Sequence, residues 1–170
     1  MAPSKSLPVH ALRVSTYAEL QRYARAFGDG HLNLLILCGA PGVGKSRLLR
    51  QTVGADVCWI DGNASAFGIY QQAYEKRNLP IVLDDVDGLY RDRTGSQLLK
   101  TLCQTEAVKS VSWQTDSAAL ERRGIPRQFT TTSRVAFIAN HWNTPSADVA
   151  ALEDRGHLLV FDPAAVEVHR

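Results

Sequence analysis

The segment Gly39–Ser46 (GAPGVGKS) places glycines and a proline between two stretches of different character. Before it, Leu32–Cys38 (LNLLILC) is a nearly continuous apolar run, which is typical of a buried strand. After it, Ser46–Val53 (SRLLRQTV) has helical spacing, with Leu48 and Leu49 on one face. The pattern G-x-x-x-x-G-K-S in this setting predicts a sharp turn that leads from a buried strand into a helix, as in a phosphate-binding loop.

The chemistry of such a loop is that of an anion site. Gly42 and Gly44 allow successive backbone N–H groups to point at one anion without a Cβ in the way. A helix that begins near Lys45 adds the positive end of its dipole. Lys45 could reach the β- and γ-phosphates of a nucleotide, and the Ser46 hydroxyl could hold Mg²⁺. The alternative is a plain turn that happens to contain a lysine.

We predict that eight residues of this segment bind the nucleotide. They are Gly39, Pro41, Gly42, Val43, Gly44, Lys45, Ser46 and Arg47.

Composition indicates an ordinary globular chain. The 170 residues are 45% hydrophobic and 21% charged, which suits one domain with a proper core, and the net charge of +2 does not by itself argue for nucleic acid. Three cysteines without metal-ligand spacing predict buried thiols in a reducing compartment. The N-terminus lacks the apolar core of a signal peptide, and no apolar run is long enough to span a bilayer. We therefore expect a cytoplasmic protein with no membrane partner.

Strand-like and helix-like segments alternate along the chain. The strand-like runs cover residues 32–38, 56–61, 80–83, 135–139 and 157–161, and the helical patterns cover 16–27, 64–76, 94–105 and 147–153. This order predicts an α/β fold, a three-layer sandwich with a five-stranded, mainly parallel sheet. We place a disordered N-terminus at residues 1–8, the core domain at 9–163 and a tail at 164–170.

A second motif follows the third predicted strand. Ile81-Val82-Leu83-Asp84-Asp85 is an apolar strand that ends in two acids. Asp84 would hold Mg²⁺ opposite Ser46, and Asp85 would orient or deprotonate an attacking water. An acidic turn that caps a helix is the alternative. Because ligands of parallel sheets lie at the carboxyl ends of strands, the loop, these acids and Asn140 are expected in one crevice.

At this point the sequence resembles the AAA+ family of ATPases, from about Val9 to Pro163. The resemblance rests on four segments, which occur in the family's order. They are Gly39–Ser46 (Walker A), Leu83–Asp87 (Walker B), Phe137–Asn140 (a sensor strand) and Ala151–Gly156 (a helix end with an arginine).

The resemblance implies roles for two further residues. Asn140 would be the first sensor, which contacts the water or the γ-phosphate, although it could instead cap the following loop. Arg155 would be an arginine finger that reaches the site of a neighbouring subunit, and the chain would then form a homo-oligomer, a ring or filament. A surface ion pair of Arg155 with Asp154 or Glu153 is the alternative, and Arg134 and Arg127 are competing candidates for the finger.

Two departures from the family pattern bear on activity. The family usually has Glu where this chain has Asp85, and the shorter side chain would hold a water less closely. The sequence also stops soon after the last predicted strand, so it does not include the family's helical lid with its second sensor arginine. We expect either a core fragment of a longer protein or a protein that recruits a partner for that role.

The insert from Ala107 to Arg134 allows two interpretations. It could contain a strand near Val108–Trp113 and a helical turn near Ser117–Arg123. Its basic residues, with Trp113 and Phe129, are the kind that single-stranded nucleic acid binds. The alternative, slightly favoured, is that the two aromatic residues are core and the arginines are solvated. The segment is loosely similar to those of helicase-like ATPases of phages and mobile elements.

These observations favour an ATPase that uses Mg²⁺ and ATP to remodel or move along a polymer, with nucleic acid as the leading candidate for the polymer. One alternative is an ATP-dependent switch or binding module that hydrolyses little. A small-molecule kinase is less favoured, because the sequence offers no obvious acceptor pocket. The five histidines are scattered and suggest no metal site beyond that of Mg²⁺.

Overall fold

A computed structural model describes residues 10–86, 88–89, 92–114, 118–142 and 147–164 of the chain. Of residues 147–149 it describes the backbone alone. The predicted disorder of residues 1–8, the predicted tail from 165 onward and Asp87 of the second motif all lie outside these ranges.

The described residues form eight strands and six α-helices. The strands are β1 (Leu12–Val14), β2 (Leu34–Gly39), β3 (Cys58–Asp61), β4 (Ile81–Asp84), β5 (Lys109–Ser112), β6 (Gln128–Thr131), β7 (Val135–Ala139) and β8 (His157–Phe161). The helices are α1 (Tyr17–Gly28), α2 (Lys45–Val53), α3 (Ala66–Glu75), α4 (Arg93–Leu102), α5 (Ala118–Arg123) and α6 (Ala147–Glu153).

The central sheet confirms the predicted α/β class but corrects the strand count. It has six strands rather than five, in the order β1-β8-β2-β7-β4-β3, and every neighbouring pair is parallel. The strand that the sequence did not predict is β1, which has three residues, two of them exposed. So short an edge strand produces no apolar run, and the hydrophobic pattern could not reveal it.

Two apolar layers cover the sheet, one on each face. Leu35 and Leu37 of β2 point to the layer that includes Leu20 and Phe27 of α1 and Leu49 of α2. Their neighbours Leu34 and Ile36 point to the layer that contains residues of α3, α4 and α6. Successive side chains of a strand face opposite ways, so a strand that is covered on both sides is apolar throughout.

Two helix starts follow the expected capping chemistry. Thr16 caps α1 and accepts a hydrogen bond from Glu19 N at 3.2 Å. Ser65 caps α3 and accepts from Gly68 N at 3.1 Å. Each hydroxyl thus satisfies a backbone N–H that has no partner within its helix.

The segment between α4 and β7 forms a small antiparallel pair, β5 with β6, with α5 between them. Its two aromatic residues differ in burial. Phe129 is buried, and Trp113 lies against Phe67 and Tyr70, with ring centroids 5.7 and 5.4 Å apart. The interpretation as a core residue is therefore confirmed for Phe129, whereas Trp113 is half-buried and packs against the core.

Candidate functional site

The glycine-rich segment lies at the carboxyl end of β2 and turns directly into α2. Gly42 and Gly44 have φ values of +79° and +77°, a region that side chains with a Cβ rarely adopt. Gly39 has a different reason to be glycine, because a Cβ there would lie 2.4 Å from the carbonyl oxygen of Phe161. The three glycines thus allow the backbone path that the motif predicted.

The turn borders a cleft of about 520 Å³ at the carboxyl edge of the sheet. The cleft brings together residues from four strand ends. Its lining residues are Pro41, Gly42, Gly44, Lys45, Ser46, Arg47, Asp61, Gly62, Asp84, Asp85, Ile138 and Asn140.

Lys45 is the most buried charged group of this cleft, with 5% of its surface exposed. Its ammonium donates to Gly39 O at 2.7 Å, to Ala40 O at 2.8 Å and to Asn140 Oδ1 at 3.2 Å. Burial lowers the pKa of Lys45, and the nearby charges, including those of Asp84 and Asp85, act in the opposite direction. The lysine therefore connects the loop to the end of β7.

Ser46 and Asp84 face each other across the cleft. The Ser46 hydroxyl donates to Asp84 Oδ1 at 3.1 Å, although the residues are 38 positions apart. Burial raises the pKa of Asp84, and the Ser46 hydrogen bond and Arg50 partly offset this rise. A hydroxyl and a carboxylate at this distance are oxygen ligands of the kind that Mg²⁺ prefers.

Asp85 follows β4 in an unusual backbone conformation. Its φ is +57°, which aspartate tolerates better than most residues, and its N–H donates to Ile138 O at 3.0 Å. The side chain is exposed and lines the cleft. This left-handed turn directs the chain away from the sheet immediately after the two acids.

Asn140 lies between the other two elements of the site because β7 pairs with both β2 and β4. Its side chain is half-buried and accepts from Lys45, and its carbonyl accepts a long hydrogen bond from Cys38 Sγ at 3.8 Å. The alternative role of Asn140, as a cap of the following loop, involves Asn143, Thr144 and Ser146, and these three lie outside the described residues.

Two of the predicted binding residues use their carbonyl groups as acceptors for side chains of the protein. Gly39 O accepts from Lys45, and Val43 O accepts from the Tyr17 hydroxyl at 2.9 Å. Neither residue is among those that line the cleft. Pro41, Gly42, Gly44 and Arg47 do line it, as predicted.

Arg155 lies away from this cleft. It precedes β8, so it is at the amino edge of the sheet, and its guanidinium donates to Lys100 O at 3.2 Å. The two other candidates for the arginine finger also contact residues that do not line the cleft. Arg134, at the start of β7, donates to Gly28 O at 3.0 Å, and Arg127 forms an exposed ion pair with Glu121 at 3.8 Å.

A third carboxylate of the cleft was not predicted. Asp61 ends β3 in register with Asp84, and Arg50 forms an ion pair with it at 3.1 Å while stacking 4.0 Å over the ring of Trp59. The rule that ligand residues follow parallel strands could have identified Asp61, because it ends the second predicted strand.

Trp142 and Glu153 join the loop after β7 to α6. The indole N–H of Trp142 donates to Glu153 Oε1 at 2.6 Å, and Glu153 is 7% exposed. Just beyond, a Cβ at Gly156 would lie 2.6 Å from Leu34 Cγ in the core. These contacts fix the turn that carries Arg155.

The basic residues of the insert have separate environments. Lys109 is buried, and its ammonium donates to Leu102 O at 2.7 Å and to Ser133 O at 2.6 Å. Arg123 donates to Gln71 Oε1. Arg122 is exposed. Lys109 is therefore part of the scaffold rather than of a surface that could bind phosphates.

All three cysteines are reduced and buried, as predicted. Burial raises the pKa of Cys103 to about 12, so its thiol stays protonated. Within the described ranges no helix is both long and apolar enough to cross a bilayer.

No family model matches the chain. It is similar to a protein of Enterobacteria phage T4 named "Uncharacterized 36.7 kDa protein in nrdC-mobD intergenic region". The two are 32% identical over an alignment of 140 residues, and the match covers 77% of this chain and 41% of the phage protein. The chain thus spans well under half the length of this relative.

The raised pKa of Asp84 gives a prediction about stability. The folded protein holds the Asp84 proton more tightly than the unfolded chain does, so the free energy of unfolding falls as the pH rises through the raised pKa. Without nucleotide or divalent cation, Asp84→Asn should therefore melt above the wild type at pH 7, and the difference should shrink towards pH 4. Thermal melting of both proteins, with exposed Asp56→Asn as the control, measures this. A variant that melts below the wild type at pH 7 would contradict it.

Proposed function

We propose that this chain is an AAA+ ATPase that binds and hydrolyses Mg·ATP. The observation that carries the proposal is the meeting of Lys45, Ser46, Asp84, Asp85 and Asn140 around one cleft. These residues come from three separate segments of the sequence, and each has the side chain that its role requires. The position of β7 between the strands of the two Walker motifs supports a sensor role for Asn140.

The contacts of Lys45 and Ser46 suit a triphosphate and its metal ion. Lys45 would exchange the carbonyls of Gly39 and Ala40 for phosphate oxygens. Ser46 and Asp84 would hold Mg²⁺, which when bound neutralises charge on the phosphates. Because no three His, Cys, Asp or Glu side chains of the described residues form a metal cluster, phosphate and water would supply the other ligands.

Asp85 and Asn140 would act on the attacking water. Asp85 is exposed to the cleft and would accept a proton or a hydrogen bond from that water. The side-chain oxygen of Asn140 accepts from Lys45, so its amide N–H₂ would remain to contact a γ-phosphate or water. Charge stabilisation and positioning of this kind are the main needs of phosphoryl transfer to water.

A nucleotide switch that hydrolyses little is the second candidate. The observation in its favour is the short side chain of Asp85, whose carboxylate is one carbon closer to the backbone than that of glutamate. The two candidates predict the same binding and differ in turnover.

The polymer and the assembly are further parts of the proposal. Exposed arginines on and after α5, among them Arg122, could contact nucleic-acid phosphates. Phe129, however, is buried and Trp113 is half-buried against Phe67, so of the two rings only that of Trp113 has exposed surface on which a base could stack. Arg155 lies at the edge of the sheet opposite the cleft, so it could serve only the site of another subunit.

Replacing Asp85 separates the two candidates. Asp85→Asn keeps a residue that tolerates a positive φ but removes the base. We expect unchanged ATP affinity and turnover lowered on the order of a hundredfold. Steady-state phosphate release measures this, with Asp56→Asn as the control. Equal turnover in the variant would contradict the role of Asp85, and a wild type that binds ATP without measurable turnover would favour the switch.

Replacing Arg155 tests the assembly. If it supplies charge to a neighbouring site, wild-type turnover per subunit should rise with protein concentration, and Arg155→Ala should lose that rise while keeping ATP affinity. Single-stranded DNA should raise the wild-type rate further if the polymer is nucleic acid. The exposed Arg22→Ala is the matched control. A concentration-dependent rate that persists in Arg155→Ala would exclude the arginine finger.

A further inference from the structure

Tyr17 makes a contact with the phosphate-binding loop that neither the motif nor the proposed chemistry accounts for. It is the first residue of α1, and its hydroxyl donates to Val43 O at 2.9 Å, across 26 positions of sequence. One edge of its ring also lies 3.8 Å from the place where a Cβ of Gly44 would be. The side chain therefore supports the loop at the two residues that precede Lys45.

The sheet determines where Tyr17 lies. Val14 at the end of β1 pairs with Phe161 of β8, and Phe161 pairs with Gly39 at the end of β2. Asp162 N donates to Val14 O at 3.0 Å and extends this alignment by one residue. The ring of Tyr17 then packs edge-on against Phe161, with centroids 5.1 Å apart. Because β1 pairs with β8 and β8 pairs with β2, the first residue of α1 lies beside the loop that follows β2.

The hydroxyl fixes the orientation of one peptide group. The peptide between Val43 and Gly44 is planar and trans, so its N–H points opposite to its carbonyl. Because Tyr17 holds the carbonyl of Val43, the N–H of Gly44 is directed away from Tyr17. Gly44 itself lines the cleft.

Three other carbonyls of the loop also have protein donors. Lys45 donates to those of Gly39 and Ala40, and the N–H of Leu48 donates to Gly44 O at 2.9 Å. Tyr17 supplies the donor that Val43 O lacks within the loop. The carbonyls of Val43 and Gly44 would keep these donors when Lys45 turns to a phosphate, so an anion at this end of the loop would meet amide N–H groups rather than carbonyl oxygens.

We propose that Tyr17 is a positioning residue, which holds the Val43–Gly44 peptide so that its N–H faces a phosphate in the cleft. The inference rests on the proposed nucleotide function. It predicts that the hydroxyl contributes to phosphate affinity, whereas the ring contributes to the packing of α1 on β8.

The test compares two changes on the same helix. Tyr17→Phe removes the hydroxyl and keeps the ring on Phe161, and Tyr23→Phe removes a hydroxyl from a half-buried tyrosine elsewhere on α1. Loss of one neutral hydrogen bond should weaken binding about fivefold. We expect this loss in Tyr17→Phe for both Mg·ATP and inorganic tripolyphosphate, and no change in Tyr23→Phe. Calorimetry well below the melting temperature of each variant measures it.

Two further measurements separate positioning from stability. Amide exchange at Gly44 should be faster in Tyr17→Phe, because its peptide is less restrained. A Tyr17→Phe protein that melts lower but binds both polyphosphates like the wild type would overturn the inference and leave the nucleotide function standing. A wild type that binds neither polyphosphate would instead refute the proposed function, and the inference with it.

Discussion

The buried ammonium of Lys45 is the interaction on which the arrangement of the cleft depends. A charge with so little exposure requires hydrogen-bond partners, and Lys45 uses two carbonyls of its own loop and the side chain of Asn140. These contacts hold the ends of β2 and β7 together. The negative charges of Asp84 and Asp85 favour the charged form of Lys45, so they offset part of the free-energy cost of burying its ammonium.

The burial of these groups carries a free-energy cost. It disfavours the charged forms of both Lys45 and Asp84, and a fold selected for stability alone would place neither there. In the proposed function, a polyphosphate and a metal ion would add opposite charge beside Lys45 and Asp84 and offset this cost. The proposed function therefore explains why unfavourable groups are gathered at one edge of an otherwise apolar sheet.

Sequence predicted much of the core of the fold and of the cleft, because both follow from short-range patterns. The apolar runs identified five of the six sheet strands, the glycine-rich motif identified Lys45 and Ser46, and the rule for strand ends identified Asp84, Asp85 and Asn140. The contact of Tyr17 with Val43 and the fit of Gly156 against Leu34 depend on which distant segments meet. No local sequence pattern encodes contacts between distant segments, so the sequence favoured a core position for Trp113 and Phe129 only slightly.

Calorimetric titration of Mg·ATP into the wild type and into Lys45→Ala, at a temperature where both are folded, tests the central claim most directly. The account predicts one site per chain in the wild type and no detectable binding in the variant, because the phosphates lose the ammonium that faces them. Exposed Lys76→Ala should bind like the wild type. A wild type that does not bind Mg·ATP, or a Lys45→Ala protein that binds it with equal affinity, would contradict the account.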